Sequence, residues 1–376
     1  MTTPKLELVS LCKEYDGGDV VAVDGIDLTV APGETIALLG PSGCGKSTTL
    51  NMIVGLEDPS SGDIRIDGQS VVGVPAGRRN VGLVFQDYAV FTSMTVRGNL
   101  AFGLEVRKTP RAAIDRAVAE VAELLGMSDR LDARARDLGG SELQRVAIGR
   151  TLVTRPSILL LDEPLSNLET AARLAMRQEL RRLQHEIGLT IIYVTHDQVE
   201  ALSLADRIAV MHAGRILQAE RTQVICEQPG HVLVAGFLGS PPMNLVRGSL
   251  RGTGHGEAEG GGGMCFRAPG FVLPMPETAG QGLPEGTYTL GIRAETLRLT
   301  RVGDAGVTGR VALVEPRGAD SVLSVVVGSE VLKVVTPATE APCEGQEVGL
   351  CVPAEALCLF DGDTNRRTAF CPRERA

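Results

Sequence analysis

At 376 residues the chain is too long for one ordinary domain and suggests about two or three. With 43% hydrophobic and 22% charged residues it can bury a full core, which excludes a disordered polymer. Trp is absent, Phe and Tyr number 8 and 4, and the formal charge is −9, so no nucleic-acid partner is expected and any bound phosphate must be met by a local site.

No run of 18 apolar residues occurs, so no membrane span is expected. Met1-Thr2-Thr3-Pro4-Lys5-Leu6-Glu7 has no apolar core, so no signal peptide is expected either. The eight cysteines form no C-x-x-C pair and none sits beside a histidine at metal-ligand spacing, which points to reduced thiols in a cytosolic protein.

The first predicted strand is Thr35–Leu39. It runs into Gly40-Pro41-Ser42-Gly43-Cys44-Gly45-Lys46-Ser47-Thr48, which fits G-x-x-x-x-G-K-[ST], and a helical pattern with Leu50, Ile53 and Val54 on one face follows. Strand, glycine-rich turn and helix are the context the motif requires. Glycines let backbone N–H groups curl round a phosphate, and the helix N-terminus adds a favourable dipole. Lys46 is placed to reach the terminal phosphates and Ser47 to ligate Mg²⁺. Only five of the basic residues are Lys, which makes one at this motif position less accidental.

Val81–Gln86 is the next predicted strand. Residues 91–155 then carry helical patterns, including the Ala-rich Thr109–Leu125, and read as a helical insertion. Ile158–Asp162 is a buried strand ending in two carboxylates: Asp162 can hold Mg²⁺ and Glu163 can polarise a water. Met176, Leu180, Leu183 and Ile187 recur on one helical face. Thr190–Thr195 is another apolar strand, with His196 at its tip as a candidate phosphate donor, and Arg207–Met211 follows. Strands alternating with helices predict an α/β domain with a largely parallel sheet over residues 1–238.

The composition changes near 240. Ser240-Pro241-Pro242 breaks the chain, and a Gly-rich loop is expected at 251–263. Val-rich runs at Thr287–Ile292, Val307–Val314, Val322–Val327, Glu330–Val335 and Val348–Val352 predict a small all-β barrel or sandwich over 239–376.

This set of motifs resembles the ATPase subunit of ATP-binding cassette (ABC) transporters. The resemblance implies a P-loop NTPase (RecA-like) core with a helical subdomain, ATP and Mg²⁺ as ligands, and a site completed by a second ATPase subunit. Tyr15 matches the aromatic on which the family stacks adenine. Gln86 matches the glutamine that contacts Mg²⁺ and faces the membrane subunit. Asp162, Glu163 and His196 match the metal, water and γ-phosphate residues, and Ser166-Asn167-Leu168-Glu169 matches the loop that crosses the dimer. Phe237-Leu238-Gly239-Ser240-Pro241-Pro242-Met243-Asn244, with Gly291-Ile292-Arg293 in the β-rich tail, is similar to the carbohydrate-importer branch and its OB-like regulatory (TOBE) domain. Polyamine-type importer ATPases share that tail but usually lack Ser-Pro-Pro-Met-Asn.

By that resemblance the partners are two transmembrane permease subunits and, indirectly, an extracytoplasmic substrate-binding protein. The location is the cytoplasmic face of the cell membrane, and the cargo is a sugar, polyol or glycerol phosphate. There are two departures. The family signature Leu-Ser-Gly-Gly-Gln appears here as Leu138-Gly139-Gly140-Ser141-Glu142, and the aspartate of the dimer-crossing loop is Glu169. The altered signature keeps a second function in view, an ATP-dependent switch protein with slow hydrolysis. A soluble ABC ATPase of translation or DNA repair fits less well, because such proteins carry two cassettes or long inserts and a basic surface.

Overall fold

The protein is described by a computed structural model covering residues 3–252, 264–275, 283–303 and 307–368. The expected Gly-rich loop lies outside the described residues from position 253 on, as does Cys371. The chain divides into two units, Met1–Thr222 and Gln223–Ala376.

In the first unit β1 (Leu6–Tyr15) and β2 (Val20–Val30) form an antiparallel pair. β3 (Thr35–Leu39) leads into α1 (Lys46–Val54), and β4 (Ser61–Ile66) with the short β5 (Gln69–Ser70) returns to β1. β6 (Val81–Val84) is followed by three helices, α2 (Val96–Val106), α3 (Arg111–Leu124) and α4 (Gly140–Leu152). The chain then alternates through β7 (Ile158–Asp162), α5 (Thr170–Ile187), β8 (Thr190–Thr195), α6 (Gln198–Leu204), β9 (Arg207–His212) and β10 (Arg215–Arg221).

Two sheets result, a four-stranded one in the order β2-β1-β4-β5 and a six-stranded one in the order β10-β9-β3-β8-β7-β6. In the larger sheet every neighbouring pair from β9 to β6 is parallel and only β10 runs against β9. β3 and β8 are buried along their whole length, as strands covered on both faces must be. Alternation along β7 sorts its side chains: Ile158 and Leu160 join a core with Leu38 and Met52 of α1, while Leu159 and Leu161 join one with Val96, Val118 and Ile148 of the helical insertion. The parallel sheet and the insertion between β6 and β7 are thus as expected.

The four-stranded antiparallel sheet was not anticipated. Its β2 alternates buried Ile26, Leu28 and Val30 with exposed Gly25, Asp27 and Thr29, the pattern of a strand with one wet face. Two smaller corrections follow from element ends. β6 stops at Val84, leaving Phe85 and Gln86 in a loop, because among the described residues it pairs with β7 alone and that pairing ends at Val84–Leu161. Ile187 is exposed rather than on the buried face of α5, because the helix terminates there and Gly188 turns out with φ +64°.

The second unit begins sixteen residues before the expected boundary at 238. It takes in α8 (Val232–Phe237) and, apart from Thr222, α7 (Thr222–Glu227). The reason is their bonding. Arg293 donates to the carbonyls of Cys226 and Leu238, Val232 N donates to Asn365 O at 2.9 Å, and Ala235 shares a core with Met243, Cys358 and Phe360.

Two five-stranded antiparallel sheets follow. The first contains β11 (Asn244–Gly252), β12 (Met264–Ala268), β13 (Phe271–Pro274), β14 (Gly286–Ile292) and, late in the chain, a strand at Leu357–Asp361. The second contains β15 (Arg298–Thr300), β16 (Val307–Arg317), β17 (Asp320–Val327), β18 (Glu330–Pro337) and β19 (Glu347–Cys351). Phe266 and Leu290 of one sheet share a core with Val311 and Leu323 of the other, so the tail is all-β as predicted. No helix of the described residues is long and apolar enough to cross a membrane.

Candidate functional site

Strand order assembles the site. β8 lies between β3 and β7, with Leu39 beside Thr195 and Asp162 beside Val194, so the carboxyl ends of three strands open on one crevice. The segments leaving those ends carry Gly40–Thr48, Asp162–Glu163 and His196.

The loop after β3 is fixed by close approach. A Cβ on Gly40 would lie 2.3 Å from the Met211 carbonyl oxygen, and one on Gly45 would lie 2.4 Å from that of Ala22. Gly45 also has φ +101°, a left-handed conformation that L side chains rarely adopt. α1 starts at the next residue. Lys46 is buried, and its Nζ donates to the carbonyls of Gly40 and Pro41, both at 2.9 Å. The ammonium therefore sits inside the curl of the loop. Cys44 Sγ lies 3.8 Å from it; burial pushes that thiol up, against the opposing charge of Lys46.

Ser47 Oγ donates to Asp162 Oδ1 at 3.3 Å, joining positions 115 residues apart. Burial is the largest influence on Asp162 and raises its carboxyl above the ordinary range. The Ser47 hydrogen bond opposes this, Glu163 adds to it, and Lys46 opposes it. Asp162 and Ser47 present hard oxygen donors at the mouth of the loop. Among the described residues no cluster of three or more His, Cys, Asp or Glu could cage a metal. One carboxylate and one hydroxyl beside a phosphate loop fit Mg²⁺, which keeps waters and binds largely through substrate phosphates.

Glu163 has φ +44°, an uncommon conformation for a non-glycine residue. Its N–H donates to Val194 O at 3.0 Å, and its carbonyl accepts from Ser166 Oγ at 2.9 Å. The side chain faces His196, with Oε1 3.1 Å from Nδ1. Gln86 comes to the same crevice from the loop after β6: its Nε2 donates to Ser166 Oγ at 3.4 Å, and its carbonyl accepts from Asn167 Nδ2 at 2.9 Å.

Tyr15, at the end of β1, reaches α1. Burial and a hydrogen bond to Glu57 push its phenol up, while a hydrogen bond with Thr48 acts the other way. The Lys13 ammonium lies over its ring, 5.0 Å from the centroid. Ser42 and Gly43 complete the loop, where Gly43 has φ +78° and open space around it.

Leu138–Glu142 lies elsewhere, at the start of α4 on the helical insertion. Gly139 is the N-cap, and its N–H donates to Glu142 Oε2 at 3.0 Å. Among the described residues no hydrogen bond joins this segment to the phosphate loop.

Sequence reasoning missed the support behind His196. Glu200 is buried and accepts from Tyr193 Oη at 2.8 Å and Thr195 Oγ1 at 2.9 Å. Thr195 Oγ1 in turn accepts from Asp197 N at 2.9 Å, and Asp197 caps α6. The Asp197 cap followed three residues later by Glu200 was the available signal.

Known proteins were compared over the whole chain. The ABC transporter family matches residues 23–166 and the TOBE domain matches residues 290–360. The sn-glycerol-3-phosphate import ATP-binding protein UgpC 3 of Rhizobium johnstonii is 42% identical over 96% of this chain and 99% of its own length. The trehalose/maltose import ATP-binding protein MalK of Thermococcus litoralis is 40% identical over 96% of this chain and 98% of its own. The solved structure of cbiO1 from Clostridium perfringens, part of the ABC transporter complex cbiONQ, is 31% identical with a TM-score of 0.56. It covers 59% of this chain and 90% of that one.

Proposed function

The chain belongs to the ATP-binding import subunits of ABC transporters, which are ATPases coupled to transport, and from that premise we propose how its residues divide the work and what it serves. The carrying observation is the convergence of Lys46, Ser47, Asp162, Glu163 and His196 on one crevice.

In this reading the N–H groups of Gly40–Thr48 and the Lys46 ammonium hold the phosphates of ATP. Ser47, Asp162 and Gln86 would hold Mg²⁺, which would neutralise phosphate charge. Tyr15 offers the ring face away from Lys13 to adenine. Glu163 orients and polarises the attacking water. His196, held by Glu163 through Nδ1–H, donates toward the γ-phosphate from its other ring nitrogen as the doubly protonated ring. Catalysis is positioning and charge stabilisation rather than covalent chemistry.

A second ATPase subunit completes the site by presenting its own signature segment, and ATP binding closes the pair. The motion passes to two permease subunits at the cytoplasmic face of the membrane. Their docking place is the groove beside Gln86, a cleft of about 130 Å³ lined by Phe85, Tyr88, Phe102 and Arg150. The cargo is a sugar, a polyol or glycerol phosphate, delivered by an extracytoplasmic binding protein. The relatives that import trehalose/maltose and sn-glycerol 3-phosphate support that range. The test is uptake of labelled maltose, a polyol and glycerol 3-phosphate in a strain lacking this chain. Loss of one of them, restored by the wild type, carries the proposal; unchanged uptake of all three overturns the cargo class.

The two units predict a separable ATP site. A fragment of residues 1–222 is expected to bind ATP with an affinity close to that of the full chain, because every side chain of the crevice lies before 197. Loss of ATP-induced thermal stabilisation in a soluble, folded fragment counts against that boundary.

The signature predicts slow turnover. In the family the second position supplies a hydroxyl to the partner's γ-phosphate, and Gly139 has none. A lost hydrogen bond to a charged group costs about 1.5–3 kcal/mol, or about one to two decades of binding or rate. The backbone does not demand glycine here: φ is −75°, and a Cβ at 139 would meet only Glu142 Oε2, at 3.8 Å. Gly139→Ser is therefore expected to raise ATPase in the assembled complex. A collapse on Ser141→Gly would instead assign the hydroxyl to Ser141. No change in either variant or in the double variant removes the departure from the mechanism.

A further inference from the structure

We propose that Arg173 is a positioning residue for hydrolysis, tying the Ser166–Glu169 loop to the segment that carries His196, so that Glu163 and His196 are held in register. The inference rests on the reading above that this pair performs hydrolysis.

Arg173 lies in the first turn of α5, its N–H bonded to Glu169 O at 2.8 Å. The guanidinium reaches three acceptors on two other segments. Nη2 donates to Leu168 O at 3.2 Å, Nη1 lies 3.7 Å from Asp197 Oδ2, and Nε lies 3.7 Å from Glu200 Oε1. Each acceptor leads to the site. Leu168 belongs to the loop whose Ser166 bonds the Glu163 carbonyl and receives the Gln86 amide. Asp197 and Glu200 both engage Thr195, which immediately precedes His196. His196 closes the circuit on Glu163.

Two observations give the link weight. Glu163 sits at φ +44°, a conformation that persists only where the surroundings over-determine it. Arg173 Nε is buried without a hydrogen bond, although Glu200 Oε1 is close by. A shift of under about 1 Å would bring that contact to hydrogen-bond distance. The loop and the His196 segment thus share one cation. A planar fork suits three acceptors in different directions; a lysine ammonium is a single point charge.

The test uses the full-length chain assembled with its membrane subunits, and reads single-turnover hydrolysis and ATP affinity separately. Arg173→Ala is expected to lower the hydrolysis rate about ten- to a hundredfold, as misplacement of reacting groups does, with ATP affinity within about twofold. Arg173→Lys is expected to fall between Arg173→Ala and wild type, and serves if the alanine variant does not fold. In a His196→Ala background Arg173→Ala should cost less than about twofold more, because both act through one group. Wild-type rates in Arg173→Ala and Arg173→Lys overturn the proposal. So do losses that multiply with His196→Ala, or ATP affinity that falls in step with the rate. A wild-type rate for His196→Ala alone overturns the underlying reading of the pair, an outcome distinct from the others.

Discussion

Glu163→Gln in the assembled complex is expected to reduce steady-state ATPase by about two to four decades, the range for loss of a general base. The substitution keeps the shape of the side chain. The backbone bonds that hold residue 163, from its N–H to Val194 O and from Ser166 Oγ to its carbonyl, are untouched. What disappears is the carboxylate that faces His196 at 3.1 Å and would accept the proton of the attacking water. Lys46, Ser47 and Asp162 are unchanged, so ATP should still bind. Binding without turnover should leave a long-lived ATP-bound dimer, visible by size-exclusion chromatography with ATP and Mg²⁺. Near-normal turnover in this variant would falsify the assignment of the water to Glu163.

Lys46→Ala is expected to fail one step earlier, at ATP binding. The buried Nζ is the one side-chain cation inside the curl of Gly40–Thr48, and its removal withdraws a charge-assisted donor from the phosphates. One such bond is worth about 1.5–3 kcal/mol, so ATP affinity should fall by at least about tenfold, and turnover further, as charge develops on the transferred phosphate. The fold should survive, because the loop is shaped by backbone packing at Gly40 and Gly45 rather than by the lysine. Thermal unfolding with and without ATP separates the two effects. Wild type should gain stability as ligand fills the site, and Lys46→Ala should show a normal melting temperature with little gain. A full ATP-induced shift in Lys46→Ala would move the phosphate contact elsewhere.

The two variants are expected to fail at different steps because the proposed binding and hydrolysis roles fall on different segments. Ser47 and Lys46 ride on α1 directly behind β3, whereas Glu163 and His196 leave the ends of β7 and β8. The departures at Gly139 and Glu169 fall on neither set. They lie on the start of α4 and on the loop after β7, the parts assigned to the partner's site. Their effect is therefore expected in the assembled pair.

The sequence alone determined what is local. The phosphate loop is nine consecutive residues whose glycines, lysine and serine act through their own backbone turn, so strand, loop and helix could be read together. Uniformly apolar runs such as Ile158–Leu161 and Ile191–Val194 announced buried strands, and the two carboxylates after Leu161 marked a site edge. Tertiary structure decided what depends on neighbours far along the chain. Only the order β3-β8-β7 brings Ser47 to Asp162 and Glu163 to His196. The antiparallel sheet of β1, β2, β4 and β5 escaped because a strand with one wet face breaks its apolar run with polar residues, as Asp24, Asp27 and Thr29 do in β2. The unit boundary moved to 222 because α7 and α8 are short and take their bonds from Arg293 and Asn365, more than 50 residues on. Arg173 and Glu200 belong to none of the motifs read from the sequence. Burial of Glu200 beneath Arg173 arises only when α5 packs beside α6, and no periodicity in either helix encodes which acceptors a guanidinium will find there.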